Sequence, residues 1–408
     1  MLKIADEMGP VATYTVARNE RSIRTLDAVR ELAPKIRAAG DEIENGRRLP
    51  LDLVAEMKRA GVFRMAMPRA WGGSELDLLS QVRVIEALSN ADASAGWCAV
   101  IGIDGGYVTA YIDQTVAREM YTDIDAVTAI TYAPPGRAVK TRNGFTVNGR
   151  WPFASGCQHA TWMIGHFAVF DGDSPRLQSN GVPETRFGFL RPEECEIIDT
   201  WTTNGLRGSG SHDWTVKDRF IPEERTFNLA LPTIYREGPL YTLPNLLIYK
   251  FAGVVLGIAR GAVDEFIALA SHKPITFKSP TGNKTMLRDE TFAQCAVAQA
   301  EAMVSSARGF VFEAFGDVWD TLVADGVPSF KQRARARLAM VNASTACTQA
   351  VELLYKTNGG SSVYTGSAFD RRLRDIQTVN QHTVVALKTW EVTGRVLLGL
   401  EHNYGLLF

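Results

Sequence analysis

Between residues 22 and 39 the apolar positions Ile23, Leu26, Val29, Leu32 and Ile36 fall three or four apart, a spacing that predicts a helix with one buried face. Pro50 can open a second helix and Gly61 can stop it. Leu78, Leu79, Val82, Ile85 and Leu88 mark another, and 94–121 reads as further helix interrupted at Gly105-Gly106. The period then changes. Residues 127–132 favour a strand, and Asn143-Gly144 between 139–142 and 145–147 is a strong hairpin signal. Further strands are expected at 161–170, 186–190, 195–200 and 214–221, and the β region ends near Phe227. After a proline-bearing link over 231–244, helical spacing resumes at 245–272, 288–325, 329–357 and 370–404, around a polar loop at 276–283.

This order predicts an N-terminal helical domain over 1–122, a central β domain over 123–230 and a C-terminal set of helices over 231–408 able to form a four-helix bundle. At 408 residues the chain builds a sizeable core. Its 44 basic residues nearly balance 45 acidic ones, so charge implies no nucleic-acid partner and no anionic membrane partner. The uncharged stretches 93–103 and 251–259 stop short of the roughly 20 residues that span a bilayer, and no membrane segment is expected. The first residues turn acidic at once without an apolar signal core, which sets a cytoplasmic expectation. Five cysteines at 98, 157, 195, 295 and 347 form no CxxC pair, and the histidines show no HxxxH or HExxH spacing. Neither a disulfide framework nor a metal site is expected.

Two segments are candidates for chemistry. Gly205-Leu206-Arg207-Gly208-Ser209-Gly210-Ser211 is glycine-rich, yet it lies inside the β region with no following helix, and no GxGxxG after a strand and no GxxxxGK[ST] occurs. It reads either as a phosphate contact or as a strand connection; a Rossmann nicotinamide site is not expected there. Gly149-Arg150-Trp151-Pro152-Phe153-Ala154-Ser155-Gly156-Cys157 brings aromatics and a hydroxyl together, which suits a flat heterocycle but equally a core strand ending in a turn.

Five segments in this order resemble the acyl-CoA dehydrogenase superfamily. They are 51–73 with Met67-Pro68-Arg69-Ala70-Trp71-Gly72-Gly73, the 149–157 strand, 205–223, Gly257-Ile258-Ala259-Arg260-Gly261-Ala262, and Asn358-Gly359-Gly360 through Arg374-Asp375. Where dehydrogenases of this superfamily carry a glutamate base, the chain has Gly366, and the alternative base position falls on Leu247. Proton abstraction beside a thioester needs a positioned acceptor, so acyl-CoA dehydrogenation coupled to an electron carrier becomes the secondary reading. The flavin-binding Arg-x-x-Phe is also absent, with Lys273-Pro274-Ile275-Thr276-Phe277 in that region. His382, seven residues after Asp375 on an expected C-terminal helix, and Asp92-Ala93-Ser94-Ala95-Gly96-Trp97 resemble the two-component flavin-dependent monooxygenase branch.

That resemblance implies an α+β, mostly α, fold of the acyl-CoA dehydrogenase type: N-terminal helical domain, central β-barrel domain and C-terminal four-helix bundle, assembled as a homotetramer. It implies an oxygenase component that takes reduced flavin (FMNH2 or FADH2) from a separate NAD(P)H:flavin reductase. Reduced flavin and O2 would form a C4a-hydroperoxide that oxygenates a small aromatic or heteroaromatic substrate. Phe153 and Ser155 would face the flavin ring, with Arg207 and Ser209 also on the cofactor. Lys356, Gly359 and Gly360 would reach a neighbouring subunit's flavin. His382 and Ser155 carry the catalytic expectation, and Trp97 and Tyr107 the substrate one. His159, His166, His212, His272 and His402 are read as structural, and Arg371 and Arg372 as a solvated helix start. A flavin-binding or scaffold protein without catalysis is the reading from another class.

Overall fold

The computed structural model describes residues 20–275, 285–386 and 388–400, so the expected polar loop at 276–283 and His402 lie outside the described residues. The N-terminal helices are α1 (Glu20–Ala38), α2 (Gly40–Gly46), α3 (Leu51–Arg59), α4 (Leu78–Ala91), α5 (Ala93–Gly102), α6 (Asp104–Val108) and α7 (Gln114–Met120). In α1 the periodic residues Val29, Leu32 and Ile36 are buried, but Ile23 is exposed and Ser22 and Thr25 turn inward. The single helix expected after residue 94 is three. Asp92 caps α5 by accepting the Ala95 N–H at 3.0 Å, and Asp113 caps α7 by accepting the Thr115 N–H at 2.9 Å. Such caps satisfy orphan amides and start new helices where the chain turns.

The strands are β1 (Thr128–Thr141), β2 (Gly144–Ala154), β3 (Trp162–Asp171), β4 (Ser174–Pro175), β5 (Thr185–Leu190), β6 (Glu196–Ile198), β7 (His212–Pro222) and β8 (Thr226–Phe227). The expected barrel-like unit is one eight-stranded sheet, ordered β6-β7-β2-β1-β3-β5-β8 with β4 beside β3. Two expected strands merge into β1, whose register against β3 shifts between Thr131 and Gly136. Thr141 pairs with Gly144, so the hairpin loop is Arg142-Asn143, one residue earlier than the Asn143-Gly144 signal. Gly144 answers to close approach: a Cβ there would stand 2.2 Å from the Ile221 carbonyl oxygen. Inside the sheet Trp151 and Trp214 stack at 4.4 Å, their indole N–H groups donating to the His166 carbonyl and to Thr131 Oγ1. Both indoles are thus buried with their donors satisfied, so their large apolar area is gained without an orphaned N–H.

A 3-10 run over Pro244–Phe251 leads into α8 (Ala252–Ala270), followed by the small pair β9 (Pro274–Ile275) and β10 (Thr285–Met286). The long helices α9 (Thr291–Val323) and α10 (Phe330–Asn358) come next, then α11 (Ala368–Val379) and α12 (Lys388–Leu397). The stretch Pro244–Ala270 is long and apolar enough to cross a membrane, yet 94% of its most apolar window is buried inside the protein, which accounts for its composition as core. The single helix expected over 370–404 breaks after Val379.

Arg371 and Arg372 are not a solvated helix start. Arg372 forks onto Glu265 at 2.7 and 2.8 Å and donates to the Asn90 carbonyl, while Arg371 reaches Asp92 at 2.6 Å. Arg374 joins Glu44 at 2.6 Å and Asp370 at 2.7 Å. One turn of α11 thereby clamps the N-terminal helices and α8 with bidentate, charge-assisted bonds.

Candidate active site

The end of β2, the N-terminal helix α5 and the break after α11 converge. Trp97 on α5 donates its indole N–H to Ser155 Oγ at 2.8 Å, and Ser155 Oγ lies 2.7 Å from Ser211 Oγ, itself 2.7 Å from Ser209 Oγ. The Trp97 ring meets the His382 ring edge-on at 5.2 Å. Phe251 stacks on His382 at 5.1 Å and stands edge-on to Trp97 at 5.3 Å. Three sequence candidates, Trp97, Ser155 and His382, thus meet in one place with Ser209 attached through Ser211.

Local structure explains the aim of each group. Phe153 sits at φ 66°, an unfavourable region for a bulky residue, and is 67% exposed, edge-on to Trp201 at 6.3 Å. Strain of this kind persists where the surrounding fold over-determines it, and here it turns the Phe153 ring outward as the strand delivers Ser155 inward. His382 is not on a helix: it caps the 3-10 turn Thr383–Val385, its Nδ1 accepting the Val384 N–H at 3.3 Å. That bond assigns the neutral tautomer with the proton on Nε2. Burial, with the Arg337 charge adding to it, lowers the His382 pKa to about 4. At neutral pH this imidazole is uncharged and offers a donor.

Other candidates sit elsewhere. Tyr107 is buried with its hydroxyl donating to Gln81 Oε1 at 2.7 Å, and it approaches the group only through Lys250, which lies over both the Tyr107 ring at 5.2 Å and the Phe251 ring at 5.6 Å. Arg207 donates to the Glu44 and Thr203 carbonyls. Lys356, Gly359 and Gly360 are exposed at the C-terminal end of α10. Lys356 is 19 residues along that helix from Arg337, about 28 Å at 1.5 Å per residue. Among the described residues no hydrogen bond or ion pair joins Lys356 to the Trp97, Ser155 and His382 group.

Sequence reasoning missed Ser211, Phe251 and Arg337. Ser211 had a signal in its alternation with Ser209, and Arg337 is a charge on the buried stripe of α10. Phe251 had none. Gly366 is exposed and Leu247 buried. Among the described residues no carboxylate hydrogen-bonds to Trp97, Ser155, Ser209, Ser211 or His382, and no group of three His, Cys, Asp or Glu side chains is placed to hold a metal ion.

Beside this group a cleft of about 590 Å³ separates the loop after β6 from α11, lined by Thr202, Thr203, Asn204, Arg374, Gln377 and Gln381 among others. Gly205 lets the loop dock, since a Cβ would stand 2.1 Å from the Arg374 carbonyl oxygen, and Asp375 accepts the Leu206 N–H at 2.7 Å. The cleft's accessible lining is mainly apolar, with Leu373 among it, and carries a few hydroxyls and amides from Thr202, Thr203, Asn204 and Gln377. An apolar cleft with a few hydroxyls and amides is the kind of lining that takes a flat, polar-edged ring.

Acid should act on this region through its histidines. Burial lowers His159, whose ring nitrogens are unpartnered, to about 4, as it does His382; His166 and His212 shift the same way. Between pH 6.5 and about 4 the unfolded chain binds the protons that these folded histidines refuse, so their stabilisation is complete above 6.5 and is lost as pH falls. Asp375, pushed by burial up to about 7, contributes with the opposite sign. The histidine contribution is therefore read as a difference: the stability of wild type relative to His159→Gln should fall steadily from pH 6.5 to 4 in chemical denaturation. A constant difference would contradict it.

Residues 19–120 match the family described as "Acyl-CoA dehydrogenase, N-terminal domain" and residues 249–386 the one described as "Acyl-CoA dehydrogenase, C-terminal domain". The chain is 31% identical to the indole-3-acetate monooxygenase of Acinetobacter baumannii, over 91% of this chain and 93% of that one. It is 29% identical to the flavin-dependent monooxygenase oxygenase subunit HsaA of Rhodococcus jostii, over 88% and 93%. The crystal structure of 3-HSA hydroxylase from a Rhodococcus species superposes with a TM-score of 0.84 at 25% identity, covering 95% of this chain and 99% of that one. Segment order, fold and relatives agree, and the chain belongs to the acyl-CoA dehydrogenase superfamily, in its flavin-dependent monooxygenase branch.

Proposed function

We propose that the chain is the oxygenase component of a two-component flavin-dependent monooxygenase acting on a small aromatic substrate. The observation that carries this is the Trp97, Ser155 and His382 constellation, with no carboxylate at the two positions where a dehydrogenase would keep its base. When bound, reduced flavin supplies the two electrons that split O2, one oxygen atom entering the substrate and the other leaving as water.

The chain's own residues do the rest. Trp97 spends its N–H on Ser155, which orients the serine hydroxyl and leaves its proton for Ser211 or for the cofactor's ring nitrogen. Held there, Ser155 opposes early loss of hydrogen peroxide. Phe153 covers the cofactor ring, Ser209 extends the hydroxyl chain, and Arg207 braces the loop that lines the cleft. His382, neutral and protonated on Nε2, donates to the substrate oxygen or to the oxygen being transferred; accepting a proton there would cost it the Val384 cap. Trp97 and Phe251 wall the substrate ring, and Tyr107 supports that wall from behind through Lys250. Lys356, Gly359 and Gly360 reach the cofactor of another subunit in a homotetramer, where a lysine suits a phosphate. Electrons come from a separate NAD(P)H:flavin reductase, and the cytoplasm is the compartment.

Isolated protein given NADH or NADPH should be inactive, whereas any flavin reductase that releases reduced flavin should restore oxygen-dependent product from an aromatic panel. In the same assay Ser155→Ala should raise hydrogen peroxide relative to product several-fold. Pyridine-nucleotide oxidation by the chain alone, or flavin bleaching by acyl-CoA thioesters under anaerobic conditions, would refute the reading.

A further inference from the structure

Arg337 is 3% exposed, on the buried stripe of α10, and among the described residues no carboxylate lies within salt-bridge distance of it. Among the described residues its guanidinium donates to Met340 Sδ at 3.7 Å and Thr389 Oγ1 at 3.3 Å, and Nε is buried without a partner. The Tyr249 hydroxyl beside it is also buried and unpartnered. A buried cation normally carries a counter-ion, because an uncompensated charge in the interior is costly and arginine does not escape by losing its proton. The other buried cations here obey the rule: Lys250 has Asp104 and Arg372 has Glu265.

The place of this exception is informative. Arg337 donates to Thr389 Oγ1, the Thr389 N–H donates to the Ala386 carbonyl at the end of the turn that His382 caps, and Tyr249 precedes by two residues the Phe251 ring that stacks on His382. Thr389 follows His382 by seven residues, at the start of α12. A guanidinium and a phenol, both donors in want of acceptors, therefore stand on the bundle side of the ring-walled site.

We propose that Arg337 and Tyr249 form an anion subsite that receives the carboxylate of the aromatic substrate, so that the protein acts on aryl carboxylic acids in preference to neutral aromatics. Guanidinium and carboxylate match in geometry as well as charge, and binding would give the buried cation the partner that it lacks among the described residues. With the acid group anchored there, the aromatic ring is left against Trp97, Phe251 and His382. The inference rests on the oxygenase reading and adds the substrate class to it.

Binding isotherms with benzoate, phenylacetate and indole-3-acetate, each against its primary amide, test the subsite without turnover. Wild type should bind at least one acid tenfold or more tighter than its amide. Arg337→Met should abolish that preference by weakening the acid while leaving the amide within about threefold. Arg337→Lys, which keeps charge but not the planar fork, should retain a reduced preference and serves where the methionine variant does not fold. Equal binding of acids and amides by wild type, or a preference that survives in Arg337→Met, overturns the subsite. Loss of flavin affinity in place of acid affinity assigns the guanidinium to the cofactor phosphate and overturns it too. Turnover on neutral aromatics with externally reduced flavin, and no acid preference, would sink this inference alone and leave the oxygenase reading standing.

Discussion

Replacing His382 with alanine is expected to slow product formation per folded site about 100-fold, the usual scale of a lost acid, base or positioned proton donor. Cofactor and substrate binding should persist, because Ser155, Phe153, Trp97 and Phe251 are untouched. The same substitution removes a cap, since Nδ1 accepts the Val384 N–H, and should cost about 1 kcal/mol of stability. His382→Asn separates the two effects. An asparagine oxygen caps a turn well and its amide donates a hydrogen bond, yet the shorter side chain does not carry that donor to the place of the imidazole Nε2. It should recover stability and binding fully and the rate only in part. Single-turnover product formation and thermal melts on one preparation decide the matter: a near-native rate in His382→Ala with lowered stability would reduce His382 to a structural cap.

Lys250→Met should destabilise the protein by about 3–5 kcal/mol, the cost of leaving one member of a buried pair uncompensated. Lys250 and Asp104 have no exposed side-chain surface, and Nζ lies 2.5 Å from Asp104 Oδ1 and 2.5 Å from the Leu247 carbonyl oxygen. Burial pushes the Asp104 carboxyl up and the Lys250 ammonium down, and their mutual attraction opposes both shifts. Without the lysine, Asp104 stays charged at a cost or takes up a proton, so the defect should shrink as pH is lowered. Adding Asp104→Leu should recover most of the loss, because two apolar side chains replace a pair instead of orphaning one member. Denaturation midpoints of the single and double variants measure this, and an additive double variant would contradict the coupling. Since Lys250 also backs the Phe251 ring that stacks on His382, the single variant should lose rate as well as stability.

Helical and strand periods placed most elements, because the spacing of apolar side chains reports directly which face is buried. They failed where a local competitor acts. Asp92 and Asp113 caps split one expected helix, and beyond the end of α11 at Val379 His382 caps a new turn, since a side-chain acceptor satisfies amides that would otherwise continue the ladder. The hairpin signal was displaced by one residue because Gly144 serves the close approach of β7 and not the turn.

By itself the sequence determined the α-β-α order, the superfamily and the absence of a glutamate at Gly366 and Leu247, all properties of residue type and spacing. It named Trp97, Ser155 and His382 one by one. Only the tertiary structure decided that these three touch, because they lie 58 residues apart between Trp97 and Ser155 and far more to His382, and no period links such distances along the chain. It alone joined the Tyr107 hydroxyl to Gln81, made Arg371 and Arg372 a clamp, and left Arg337 buried without a counter-ion among the described residues. The reason is physical: hydrophobic periodicity says that a face is buried, whereas the partner that satisfies a polar group on that face comes from whichever distant element packs against it.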